Sequence, residues 1–218
     1  MLGVALARDC GTPLRLLAIG AHADDVEIGC GGTIRRLAEI ETELSVAWVV
    51  LAAHGVRVQE ARASADRFLE GVRVRDVRAL DFEDAFFPYH GARIKRFFEE
   101  LRREVEPDIV FTHARHDLHQ DHRFVCELTW NTFRDHLILE YEIPKFDGDL
   151  GSPNMFVPLS KGECAFKIET VLSSFASQRS KHWLSADVLL GLMALRGAEC
   201  RSPTKYAEAF YARKVLWA

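Results

Sequence analysis

A histidine and two aspartates within four positions place metal-binding and proton-transferring groups side by side in the run Ala21-His22-Ala23-Asp24-Asp25-Val26-Glu27. A second dense run lies far along the chain, His113-x-x-His116-Asp117-x-His119-x-Asp121-His122. A zinc ion in a hydrolytic site typically takes three imidazole or carboxylate ligands and keeps a fourth position for water. His22, Asp25 and His122 supply such a set, which also suits ferrous iron. Asp24 is then left unligated beside the metal, able to accept a proton from a bound water whose pKa zinc lowers to about 7. His119 can stabilise an oxyanion or donate a proton, and Asp121 can orient one imidazole. The chemistry expected is attack of activated water on an amide carbonyl, releasing free amine and acetate.

The same residues have ordinary structural readings. Asp24 and Asp25 can cap a following helix, although capping requires no imidazoles on a remote loop. The four histidines spaced by three (His113, His116, His119, His122) can share one face of a tight helical turn and form a multi-metal or storage site; His113 and His116 are otherwise expected to support ligands or face substrate. Arg57 can pair with Glu60 at helical spacing. The aromatic cluster Phe82, Phe86, Phe87 and Tyr89 reads as core before it reads as a sugar platform. His54, His90, His136 and His182 read as structural or exposed. Gly29-Cys30-Gly31-Gly32 lacks the G-x-G-x-x-G spacing of a dinucleotide loop, and close packing of a loop against a helix explains it more simply.

The elements that must position these groups alternate. Leu14 to Ala21 reads as a buried strand running into the first cluster, Ile34 to Ile40 as helix, Glu43 to Ala52 as strand and Val56 to Glu70 as helix. Val72 to Leu80 follows as strand, Ala92 to Val105 as amphipathic helix, and Asp108 to Thr112 as the strand that feeds the second cluster. Strand–helix alternation implies a mostly parallel sheet covered on both faces, with both clusters opening on the edge where such sheets bind ligands. Further on, the pattern predicts a helix to Arg134, an extended segment His136 to Ile143, a Gly- and Pro-containing loop from Pro144 to Pro158, a helix Lys161 to Ser180, and a closing extended segment Tyr206 to Trp217. The loop is a candidate lid, placed within 141–158, and its Glu142, Asp147 and Asp149 are candidate binders of hydroxyls or of a cationic group.

Composition bounds the rest. A chain of 218 residues, 48% hydrophobic and 28% charged, fits one globular domain spanning 1–218, and no internal repeat divides it. Its 28 basic residues are scattered among 32 acidic ones, for a net charge of −4, which leaves no basic stripe for nucleic acid. Five cysteines without a C-x-x-C pair argue against a disulfide framework and a thiolate zinc site, and favour a cytoplasmic location. Met1 to Pro13 lacks signal-peptide character, and no apolar run approaches the roughly 20 residues needed to cross a bilayer.

His22-Ala23-Asp24-Asp25-x-Glu27 with His116-Asp117-x-His119-x-Asp121-His122 resembles the paired signatures of the PIG-L/LmbE-like zinc N-deacetylases. The resemblance extends weakly to Arg57-x-x-Glu60, Asp84, Ser177-Gln178 and Glu208-x-Phe210. It implies a three-layer α/β/α sandwich with a Rossmann-like sheet, zinc held by His22, Asp25 and His122, Asp24 as general base, and His119 in transition-state stabilisation. It also implies provisional substrate roles for Arg57 and Asp84. Ala23 departs from the family, which usually has proline there; losing a fixed φ loosens the turn. The partner implied is a small N-acyl amino-sugar substrate, with no membrane insertion and room for a homo-oligomer. A zinc amidase acting on a non-sugar amide and a non-catalytic metal binder are the competing readings.

Overall fold

The computed structural model describes Gly3 and residues 11–216. Most of the stretch Met1 to Pro13, Cys10 and Trp217 lie outside the described residues. The chain alternates β1 (Leu14–His22), α1 (Asp25–Ile40), β2 (Leu44–Ala52), α2 (Val56–Phe68), β3 (Val74–Ala79), α3 (Gly91–Glu104), β4 (Ile109–His113), α4 (Gln120–Thr132), β5 (Leu137–Tyr141), β6 (Met155–Leu159), α5 (Lys161–Ser174), α6 (Ala186–Glu199) and β7 (Tyr206–Ala212). One seven-stranded sheet has the order β3-β2-β1-β4-β5-β7-β6. The first five strands in that order are parallel, and β7 runs antiparallel to both β5 and β6.

Period-two alternation sends each strand into two cores. Leu16 and Ala18 of β1 and Val46 and Trp48 of β2 join one cluster with residues of α1, α2, α5 and α6. Leu17 and Ile19, with Val49 and Leu51, join the other with α3 and α4. Both faces are therefore covered, as central strands apolar on both sides require, and the three-layer α/β/α sandwich is the observed fold. Since β1 pairs with both β2 and β4, the chain leaves β1 toward one edge and later returns on the other side. The crevice at that reversal lies beyond the C-terminal ends of β1 and β4, which end in His22 and His113.

Three elements differ from the sequence expectation. Helix α1 begins at Asp25, so Gly29, Gly31 and Gly32 lie inside a helix and not in a loop. A Cβ on Gly29 would come within 2.1 Å of the Tyr141 ring, and one on Gly32 within 2.6 Å of Leu159, so these glycines let the helix press onto the sheet. Second, Met155–Leu159 is strand β6 and not loop, which confines the connection after β5 to 142–154. Pro158 fits because β6 is an edge strand, where a missing N–H can face away from the ladder. Third, α6 lies where no helix was expected; its sequence ADVLLGLMALRGAE is apolar with little periodicity and is interrupted by two glycines. Gly197 is needed there, since a Cβ would meet the Lys205 carbonyl oxygen at 2.1 Å.

Candidate metal centre

Strand β1 delivers His22 to the crevice, and a two-residue turn, Ala23 and Asp24, leads directly into α1 at Asp25. The Asp25 carboxylate accepts the backbone N–H of His22 at 2.7 Å, which folds the turn back on itself. On the other side of the crevice β4 leads through the segment 114–119 into α4, whose first turn carries Asp121 and His122. His119 caps that helix: its Nδ1 accepts the Asp121 N–H at 3.2 Å. The proton of a neutral His119 ring therefore sits on Nε2, and burial, reinforced by His22, lowers its pKa and favours that neutral form.

Three donor atoms meet. His22 Nδ1 lies 3.2 Å from His122 Nε2 and 3.4 Å from Asp25 Oδ2, and His122 Nε2 lies 3.6 Å from Asp25 Oδ2. Zinc bonds of about 2.0–2.1 Å at tetrahedral angles place neighbouring ligand atoms about 3.4 Å apart. The triangle fits one cation. The far nitrogen of each imidazole meets a buried carboxylate, as metal-binding histidines generally do: His22 Nε2 faces Asp121 Oδ2 at 3.2 Å, and His122 Nδ1 faces Asp117 Oδ2 at 2.9 Å. Asp121 is itself fixed by the backbone N–H groups of Ala85 and Phe87. Burial opposes a charge on His22, yet hydrogen bonds to Asp121, Asp25 and Asp84 outweigh it and raise its pKa well above the ordinary value. Such a cage favours positive charge, which a divalent cation would supply.

Other donor groupings compete: His22, His119 and His122; Asp25, His113 and His122; and His22, Asp84 and Asp121. His113 is fully buried, lies outside the cleft, and its Nε2 takes the Ala21 N–H at 3.0 Å. Its ring stacks on His122 with centroids 3.8 Å apart, a supporting position. His116 packs edge-on against Tyr211 and does not reach the cleft.

Asp24 sits next to the triangle, buried, with its Oδ2 making no hydrogen bond and only an ion-pair contact to Arg57 at 3.3 Å. Burial and the adjacent Asp25 charge push its carboxyl up to about 7, against the pull of Arg57 and His22. Asp84 lies half-exposed 3.0 Å from His22 Nε2, and its hydrogen bond to His22 lowers its pKa to about 2. The expected substrate residues Arg57 and Asp84 both line the cleft, each already in contact with a member of the site. The cleft, with about 200 Å³ of free volume, is also lined by His119, Ile143, Lys145, Phe146, Asp147, Lys181 and Trp183.

A profile of the PIG-L family, described as GlcNAc-PI de-N-acetylase, matches residues 17–133, more than half of the 218-residue chain and both histidine-aspartate runs. The chain belongs to the PIG-L family. An uncharacterized deacetylase of Escherichia coli K12, YaiS, is 27% identical over 155 residues, covering 66% of this chain and 82% of that protein. The N,N'-diacetylchitobiose deacetylase of Pyrococcus horikoshii superposes with a TM-score of 0.68 at 20% identity, covering 90% of this chain and 82% of that one. The 4-carboxy-2-hydroxymuconate hydratase GalB of Pseudomonas putida superposes at 0.76 with 18% identity, covering 94% and 98%. At such identities the likeness speaks for the fold alone, and a hydratase among these structures means that the reaction must be argued from the site.

Several residues that position the site escaped the sequence reading. Asp117 carries no assigned role in the motif although it holds His122; its signal was a carboxylate five residues before a candidate ligand. Lys145 adds a 3.0 Å contact to the same Asp117 oxygen and pairs with Asp149, which accepts the Leu118 N–H. Glu142 is buried under Arg196 and Tyr211. Of the three acidic residues expected to bind hydroxyls or a cationic group, only Asp147 lines the cleft; Glu142 and Asp149 are spent on fixing the connection. Lys181 and Trp183 come from a segment without motif character, anchored where Glu60 accepts both the N–H and the hydroxyl of Ser177. Glu60 is thus not the surface partner of Arg57.

Proposed function

We propose that this chain is a metal-dependent hydrolase that removes an N-acetyl group from an amino sugar or amino-sugar conjugate. The observation that carries the reading is the triangle of three buried donor atoms beside the buried Asp24 carboxylate, whose Oδ2 accepts no hydrogen bond. His22, Asp25 and His122 would hold the cation; the donor set suits zinc and also ferrous iron. When bound, the cation supplies a Lewis acid for the acyl carbonyl and lowers the pKa of water from 15.7 to about 7.

Asp24 takes the proton of the attacking water and passes it to the departing nitrogen. His119, with its proton on Nε2, donates a hydrogen bond to the carbonyl oxygen as that atom gains charge. Asp121 and Asp117 hold the rings of His22 and His122. Amine and acetate leave. An amino-sugar substrate is supported by the family description. The cleft wall offers Trp183 and Phe146 as apolar surfaces and Asp84 and Asp147 as polar ones, while the Arg57 guanidinium faces Asp24. Among the described residues no helix is long and apolar enough to cross a membrane, and the four described cysteines are free and buried, in keeping with a reducing cytoplasm.

The test is a panel of N-acetylated sugars and sugar nucleotides with metal-replete enzyme, read by the appearance of primary amine. Chelation should abolish turnover and added zinc or iron restore it. Asp24→Asn should keep the metal and lose about 10²–10⁴-fold in rate; an unchanged rate removes Asp24 as the base.

A further inference from the structure

We infer that Arg57 is a positioning residue for Asp24, bracing the Ala23–Asp24 turn so that the carboxylate stays off the end of α1. The inference rests on the reading of Asp24 as the base. Asp24 occupies the N-cap position of α1, where an aspartate ordinarily adopts extended backbone and gives its side chain to the N–H groups of the first turn. It does neither: its φ is 109° and its ψ −22°, and its side chain makes no capping hydrogen bond. A non-glycine residue held at such a φ persists only where its surroundings enforce it.

Two contacts flank the turn. On the near side, Asp25 accepts the His22 N–H. On the far side stands Arg57, in the first turn of α2, whose Nη2 donates to the Ala23 carbonyl oxygen and lies 3.3 Å from Asp24 Oδ2. One guanidinium nitrogen thus holds the backbone before Asp24 and the Asp24 side chain together. Gly55, at φ 56°, starts α2 at the angle that brings Arg57 there, and the Arg57 N–H donates to the His54 carbonyl. A proline at position 23 would fix that residue's own φ by its ring; with alanine there the turn is held by its contacts, and Arg57 supplies the one that reaches it from another helix.

The experiment compares Arg57→Met and Arg57→Lys with the parent by crystal structure, steady-state kinetics, zinc content and thermal melting. Expected for Arg57→Met is Asp24 relaxed to negative φ with its carboxylate on the α1 N–H groups, kcat lowered about 10–100-fold as for a displaced catalytic group, KM within about twofold, and zinc content unchanged. Arg57→Lys, which keeps a donor for Ala23, should retain most of kcat and the parent turn. Asp24 remaining at positive φ in Arg57→Met would overturn the inference, as would a raised KM with unchanged kcat, which marks a substrate contact. These outcomes are separate from the base itself: an active Asp24→Asn sinks that reading, whereas a dead Asp24→Asn with an unmoved turn in Arg57→Met sinks only the bracing role.

Discussion

Asp117→Asn removes a single charge from a group that does not line the cleft, and its effect can be worked from the hydrogen bonds. Three donors converge on the carboxylate: His122 Nδ1 at 2.9 Å and Lys145 Nζ at 3.0 Å on Oδ2, and the His119 N–H at 2.8 Å on Oδ1. An amide has one acceptor oxygen. If that oxygen serves His122 and Lys145, the amide NH₂ confronts the His119 N–H. If it serves His119, the NH₂ confronts His122 Nδ1 and drives the ring proton onto Nε2, the atom that faces Asp25 and His22. Asp117 is buried at 3% exposure, so water cannot relieve either mismatch. Loss of such a carboxylate–histidine support typically costs 10–100-fold in metal affinity, about 1.4–2.7 kcal/mol, and the second arrangement belongs at the upper end. The assay is zinc competition against a chromophoric chelator, with circular dichroism of the metal-free variant as the check on folding. Affinity within twofold of the parent, in a folded variant, would refute the account of how His122 is held.

Lys167 and Glu208 form a fully buried pair in which Glu208 also accepts the Gly32 and Thr33 N–H groups and Lys167 donates to the Ile28 carbonyl. Lys167→Met leaves that carboxylate uncompensated and should cost about 3–5 kcal/mol, read by urea denaturation. Gly29→Ala drives a methyl into the Tyr141 ring, whose hydroxyl donates to the Ile19 carbonyl at 2.6 Å; overpacking of this kind costs about 1–3 kcal/mol or more, and a melting temperature equal to the parent's would contradict the reason given for glycine. Burial pushes the Cys164 thiol up to about 11 and those of Cys30 and Cys126 higher still. At pH 8 the native protein should therefore leave these three unlabelled by a thiol-disulfide reagent, with labelling on unfolding; fast native labelling would contradict their burial.

Much of this molecule was legible without coordinates. Leu14 to Ala21, Glu43 to Ala52 and Asp108 to Thr112 read as parallel strands because strands buried on both faces must be apolar at nearly every position. His22, Asp25 and His122 stood out as a candidate ligand set because few other roles require imidazoles and carboxylates at that density, and the fold brings their donor atoms within 3.6 Å of one another. The glycines of α1 misread as a loop because glycine disfavours helices locally, while Tyr141, Phe68 and Leu159, which make it necessary, are distant in sequence. Helix α6 was hidden because it is apolar without a clear polar face, so periodicity had little to report.

Residue types and spacing were enough to single out the candidate side chains and to bring their two runs to one edge of a parallel sheet. How those side chains are held became visible only with the fold in hand: Asp117 and Asp121 behind the two imidazoles, Lys145 behind Asp117, and Arg57 beside Asp24. The reason is physical. Residue type and local spacing fix what a group can donate or accept, but which donor meets which acceptor in a buried site depends on the packing of strands and helices brought together from across the chain.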